Sequence, residues 1–197
     1  SKTPSPRTSC ADGSTRVGIH IAAPALGITP GSDLDRVAAT RLSTVYMPGD
    51  KITMLPEDLI ARYTLAENRD CPALSLYVDV APDHSILSLT TQADVVRIAA
   101  NLRHETLEPL FNEATIGGDG PEYPFRRELE WLFGFARQLE AARGKADQAQ
   151  RNDFVFKVAG ERVEILTRVR GNPIDKLVSE LMILANSRWG EMLADKG

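Results

Sequence analysis

Any chemistry in this 197-residue chain must come from three histidines, two cysteines and a mixture of 27 acidic and 23 basic side chains. His20, His84 and His104 stand far apart, and no H-x-x-x-H or C-x-x-C spacing pairs two ligands, so no zinc site is expected. A Ser-His-Asp arrangement would lack the G-x-S-x-G elbow that presents its nucleophile. Cys71 precedes Pro72 without a neighbouring base and reads as a small core side chain. Gly117-Gly118-Asp119-Gly120 lacks the lysine and helix of a phosphate loop and reads as a linker. Phosphodiester hydrolysis with magnesium requires several carboxylates converging on one or two ions. Asp33 with Asp35, and Glu57 with Asp58, open helices whose macrodipoles account for them. Asp79 falls on a strand and Asp175 in the first turn of the last helix. No tight run of spaced aspartates occurs, so spacing assigns neither a catalytic residue nor a metal ligand.

Aromatic side chains matter for another chemistry, because nucleic-acid bases stack on them. Tyr46 falls in a loop before Pro48-Gly49, which suits either a presented ring or one packed at one end and wet at the other. Trp131 and Phe133 fall within an amphipathic helix and read as core. Arg168, Arg170 and Lys176 follow one another closely, either to hold phosphates or as a solvated basic edge.

The elements that position these residues are legible from period and punctuation. Val17, Ile19 and Ile21 alternate as a strand, and Ser32 or Asp33 caps a helix to Thr40. Pro56 opens a short helix to about Tyr63. Ala73–Val80 is a strand that turns at Pro82-Asp83-His84 and returns over Ile86–Leu89, with a further edge at Asp94–Ala99. Helical spacing predicts a helix over Phe125–Arg143, a hairpin turning at Ala159-Gly160, and a last helix starting at Asn172-Pro173. The sum is α+β. Ser1–Cys10, with two prolines and four serine or threonine residues, predicts neither strand nor helix, so residues 1–15 are expected to be atypical and unstructured. A net charge of -4 argues against wrapping in nucleic acid by charge alone. No apolar run reaches a membrane span, and two cysteines suit a reducing, cytoplasmic setting.

Several ordered blocks carry more information than any single motif. They are Val17–Ala22, Pro30–Asp35, Ser43–Gly49, Ile52–Leu59, Cys71–Leu76 and Asp175–Asn186. Together they resemble the catalytic RNB domain of the ribonuclease II and ribonuclease R family, over most of Arg16–Gly197. The resemblance implies an RNB-domain-like α+β fold, a mixed sheet with packed helices, truncated at both ends so that residues 16–197 form a partial domain. It implies hydrolysis of single-stranded RNA from the 3′ end to nucleoside 5′-monophosphates with Mg2+, and neither DNA nor a membrane as partner. Tyr46 matches the aromatic residue that stacks on RNA near the scissile end. His104 falls about where better-known members carry an RNA-contacting tyrosine. Ser179, beside Glu180, replaces a residue usually acidic in the family, and Ala23 replaces an aspartate.

The family's aspartate cluster should precede Arg16, where Ser1–Thr15 contains only Asp12, and its phosphate-clamping arginine should follow Gly197. The chain alone is therefore expected to hold no metal and to be inactive. Codons can be chosen for Ser1–Cys10 such that a shifted frame spells Glu-Asp-Ala-Phe-Ser-Ala-Asp-Val-Leu, close to the end of that motif. A frame-scrambled copy of an active enzyme is one expectation. A non-catalytic RNA-binding relative that kept the fold is the alternative, and a folded module without an RNA role is the third.

Overall fold

The structure, a computed structural model, describes residues 7–9, 13–118, 120–144 and 151–197. Most of the segment in question for a shifted frame, Ser1–Pro6 and Cys10, lies outside the described residues. Its remainder, Arg7–Ser9, forms a short strand, β1, against the expectation that this stretch supports none. The two prolines precede it, and three proline-free residues suffice to pair along an edge. β1 runs antiparallel to β2 (Thr15–Ala22), with Arg7 opposite Val17 and Ser9 opposite Thr15.

β2 pairs with β5 (Asp70–Val80), and β5 with β6 (Ile86–Arg97), giving a four-stranded sheet in the order β1-β2-β5-β6. The expected α+β class is found, but every described pairing is antiparallel, so the sheet is not mixed. β6 also runs unbroken where composition suggested two strands. The eleven residues of β5 offer a ladder along its length, and pairing overrides the polar Thr90-Thr91-Gln92 stretch.

Strand period then sorts the two faces. Val17, Ile19, Leu76, Val78 and Val80 are buried on one face, under α4 (Arg126–Ala142) and α5 (Pro173–Ala194). The helices contribute Leu129, Leu132, Phe135, Ala136, Ile174, Leu177 and Ala185 to the same core. Trp131 and Phe133 pack against it as expected. The Trp189 indole donates to Thr91 Oγ1 at 3.1 Å, tying α5 to β6. Cys71 is fully buried. No described helix is long and apolar enough to cross a membrane.

The remaining elements frame the surface. α1 (Asp33–Arg41) starts at Ser32, whose Oγ accepts from the Asp35 amide, and α2 (Glu57–Tyr63) starts after Pro56. Two short hairpins stand apart from the main sheet: β3 (Val45–Met47) with β4 (Asp50–Ile52), and β7 (Arg151–Ala159) with β8 (Arg162–Arg170). Between β6 and α4, a single helical turn, α3 (His104–Leu107), leads to Phe111 in the core.

Candidate functional site

Tyr46 lies on β3, not in a loop as its sequence context suggested. Pro48-Gly49 forms the whole two-residue turn of the β3–β4 hairpin, with Met47 paired to Asp50 and Gly49 at φ 78°. That left-handed position needs a glycine, and proline before it presets the turn. The base of the hairpin is fastened by the Met54 amide donating to Thr44 Oγ1 at 3.1 Å and by Arg41 Nη1 donating to the Thr53 carbonyl at 2.8 Å. The ring is 79% exposed, far beyond what a packed tyrosine shows. Lys51 stands directly opposite it on the same face of the hairpin. A ring and an ammonium side by side suit a base and its phosphate.

His104 opens α3 and meets β8. Arg168 Nη2 lies 3.0 Å from His104 Nδ1 and donates to Asp175 Oδ1 at 2.6 Å. A guanidinium can only donate, so Nδ1 accepts and the imidazole proton resides on Nε2, facing away from Arg168. Asn172 Nδ2 donates to Glu108 Oε1 at 2.8 Å, so the start of α5 holds the C-terminal end of the α3 segment while Arg168 of β8 meets its N-terminal end. Each member of the basic cluster is paired with a carboxylate. Arg168 pairs with Asp175, Arg170 with Asp153 at 2.5 Å, and Lys176 with Glu140 at 3.0 Å.

The β7–β8 ribbon relates the two sequence-predicted positions. A Cβ on Gly49 would lie 3.2 Å from Val158, so the Tyr46 hairpin abuts the ribbon at its turn end. His104 meets the ribbon through Arg168, five residues along β8 from Val163, the partner of Val158. At roughly 3.4 Å per residue these contacts are about 17 Å apart, at opposite ends of one ribbon.

Sequence reasoning missed the second feature, the polar face of the main sheet. Strand alternation puts Arg16, Gly18 and His20 on the face opposite the core, but only the pairing with β5 and β6 shows what they meet. His20 Nδ1 is 2.8 Å from Ser75 Oγ, and its ring packs edge-on to Tyr77 with centroids 5.6 Å apart. Tyr77 donates to Asp94 Oδ2 at 2.5 Å, and Gln92 Nε2 donates to the same oxygen at 2.9 Å. A Cβ on Gly18 would sit 2.5 Å from His20 Nε2, so glycine there makes room for the ring. A cavity of about 470 Å³ borders this network, lined by Arg16, His20, Tyr77, Arg97, Phe125 and Leu129 among others.

Burial holds the His20 pKa below 6.5, opposed by the nearby Asp94 carboxylate, which pulls it up. The unfolded chain therefore takes a proton at His20 at higher pH than the folded chain does. The His20 contribution is fully present above pH 6.5 and is lost as pH falls from there through the lowered folded value. Replacing Asp94 with Asn is expected to lower the His20 pKa further, read from the imidazole proton shifts in an NMR titration; a rise would contradict this arrangement.

Asp79 accepts two hydrogen bonds from Arg16 at 2.7 and 2.9 Å and one from Ser88 at 2.6 Å, which together hold its pKa at about 2. That contribution is present above pH 3.8 and is lost as pH falls towards 2. Arg16→Ala should move the Asp79 carboxyl titration back towards 3.8; a value still near 2 would assign the depression to Ser88.

These carboxylates are spoken for one at a time. Among the described residues no three His, Cys, Asp or Glu side chains come together as a metal-binding group. Asp79 faces Arg16, Asp94 faces Tyr77, Asp153 faces Arg170 and Asp175 faces Arg168. The described residues thus do not fit a magnesium ion, which needs carboxylates converging with open oxygens.

A family model for the RNB domain matches residues 6–197. Exoribonuclease 2 of Erwinia tasmaniensis is 29% identical over 198 residues, covering 94% of this chain and 30% of that protein. Solved structures of Mycoplasma genitalium RNase R, one with double-stranded RNA and one with ribose-methylated single-stranded RNA, superpose with TM-scores of 0.77 and 0.74. Each covers 96% of this chain and 34% or 30% of that one, and at 15% identity the likeness shows a shared fold. Yeast Ssd1, a pseudonuclease, superposes with a TM-score of 0.58 at 22% identity, over 70% of this chain and 16% of its own. This chain spans less than a third of the length of the curated relatives it matches.

Proposed function

The chain belongs to the RNB family, and from that premise we propose that it forms the RNA-holding part of a 3′→5′ exoribonuclease. The enzyme releases nucleoside 5′-monophosphates from single-stranded RNA with Mg2+, in the cytoplasm. These 197 residues do not cleave RNA by themselves. Tyr46 carries the reading: an aromatic residue 79% exposed on a fastened hairpin, at a position that resembles the family's RNA-stacking aromatic. The ring stacks on a base, and Lys51 across the hairpin meets the adjoining phosphate. His104 offers its Nε2 proton as a donor to an RNA oxygen, with Arg168 holding the ring in place. The lack of catalysis rests on the donor set, because each described carboxylate above is committed to a neighbouring side chain.

Binding and cleavage are tested together with a 5′-labelled single-stranded RNA in magnesium buffer. The chain is expected to bind it without releasing mononucleotides. Tyr46→Ala should weaken binding about tenfold, as removal of one stacked base costs ~1–3 kcal/mol. Mononucleotide release by the chain would overturn the inactive reading, and an unchanged affinity of Tyr46→Ala would overturn the role of the ring.

A second reading, a non-catalytic RNA-binding relative, draws on the fold shared with a pseudonuclease. The nucleotide sequence across the codons of Ser1–Cys10 and upstream separates the two. A shifted frame that restores an aspartate cluster supports the enzyme, and a continuous frame without one supports the binding relative.

A further inference from the structure

The β7–β8 ribbon leaves one face bare. Register puts Phe154, Phe156, Val158, Val163 and Ile165 on that face with Thr167, and no charged side chain belongs to it. Phe154 is 67% exposed, Phe156 48% and Ile165 63%. The opposite face carries Arg168 and is the side that meets His104 and Asp175. A two-stranded ribbon is marginal alone, and a bare apolar face of this kind marks an interaction surface.

We propose that this face is a second base-stacking platform for single-stranded RNA, on which Phe154 and Phe156 each take one base. The proposal extends the RNA reading of Tyr46 and rests on it. Three observations favour RNA over a protein partner. First, the two rings stand two residues apart on one strand face, roughly 7 Å, on successive outward positions. Successive bases stack on aromatic side chains presented in this way.

Second, the ribbon is a basic island. Residues 151–170 hold five Lys or Arg and three Asp or Glu, a charge of +2 in a chain of -4; Arg168 and Arg170 are paired with Asp175 and Asp153, which leaves Lys157 and Arg162 as the cations near the turn. Lys157 and Arg162 belong to the reverse face at the turn end, Lys157 opposite Glu164, and a long side chain there can reach round the ribbon's edge to a backbone phosphate. Third, the face is small. Nine residues by two strands is about 30 Å by 10 Å, a strip one extended chain wide. It is also continuous with the Tyr46 hairpin, which abuts Val158 on this same face. The Gly49 turn sits on Val158, and beyond it Phe156 and Phe154 remain exposed.

The test uses the full chain and a fluorescein-labelled oligouridylate of 12 nucleotides, with affinity read by anisotropy. Phe154→Leu combined with Phe156→Leu keeps the apolar bulk and removes both rings; Phe154→Tyr with Phe156→Tyr keeps the rings. The leucine pair should weaken binding at least fivefold and the tyrosine pair should leave it within twofold, with both melting like the parent chain. Ultraviolet crosslinking of the unmodified chain should attach RNA to a peptide spanning Phe154–Phe156, a readout independent of any variant. If the leucine pair binds like the parent while Tyr46→Ala binds more weakly, the platform is refuted and the Tyr46 reading stands. If the parent chain itself fails to bind the oligonucleotide, both fall. A chain that sediments as a dimer, and becomes a monomer with Phe154→Lys, would assign the face to a second copy and overturn the RNA platform.

Discussion

Arg143→Ala is expected to lower the free energy of unfolding by about 3 kcal/mol, because it strands a buried carboxylate. Glu180 lies in the middle of α5 with a side chain only 6% exposed, and the guanidinium of Arg143 at the end of α4 grips both its oxygens. Removing Arg143 leaves that buried charge without its guanidinium partner. Lys176, one turn before Glu180, is paired with Glu140. The pair itself is a different matter, since ions lose their hydration when brought together in a core. Arg143→Met with Glu180→Met should therefore be close to neutral, well above the single variant in a urea melt. A double variant as unstable as Arg143→Ala would show that the ion pair contributes more than its desolvation costs. The single variant also tests the α4–α5 packing on which the covered face of the sheet depends.

Phe111→Ala is expected to cost about 3–5 kcal/mol, the range for emptying a fully buried phenylalanine site. The Phe111 ring has no exposed surface and meets Phe133 of α4 edge-on, with centroids 5.9 Å apart. It is also the anchor of the segment that begins at His104, since Phe111 follows α3 and its amide donates to the Leu107 carbonyl at 2.8 Å. Loss of the ring should therefore loosen His104 as well as the core. Hydrogen exchange at residues 104–111 should accelerate beyond what the global loss of stability accounts for. Equal acceleration throughout the chain would show that Arg168 and the Asn172–Glu108 bond hold His104 without the ring.

Local signals announced most elements. Ser32 and Asn172 cap α1 and α5 through their side-chain oxygens, as residues of their type do wherever an apolar helix face follows. Alternation revealed β2 and β5, and Ala159-Gly160 announced the turn of the β7–β8 ribbon, where Gly160 takes φ 61°. Apart from β6, whose polar middle is carried by its pairing with β5, the missed elements share one cause. β1 is three residues beside two prolines, β3 and β4 are three each, and α3 is a single turn. None is long enough to display a period, and each is formed by what it pairs with or packs on. Tyr46 was therefore legible as an exposed aromatic at a turn, while its place on a paired strand was not.

The candidate site divides in the same way. Its residue types, the order of its blocks and the family follow from the amino-acid sequence, because chemistry and punctuation are local properties. The absence of a spaced aspartate cluster is equally a property of sequence. The partner of each charge was decided only by the tertiary structure. Arg168, Arg170 and Lys176 read as one basic run, but β8 and α5 send them to three separate carboxylates. His20 and Asp94 are 74 residues apart in number and share a face only because β2, β5 and β6 pair in one register. The bare face of the ribbon also belongs to the fold. Alternation says which side chains of β7 and β8 point together, whereas the position of α3 and α5 decides which side stays open to a partner.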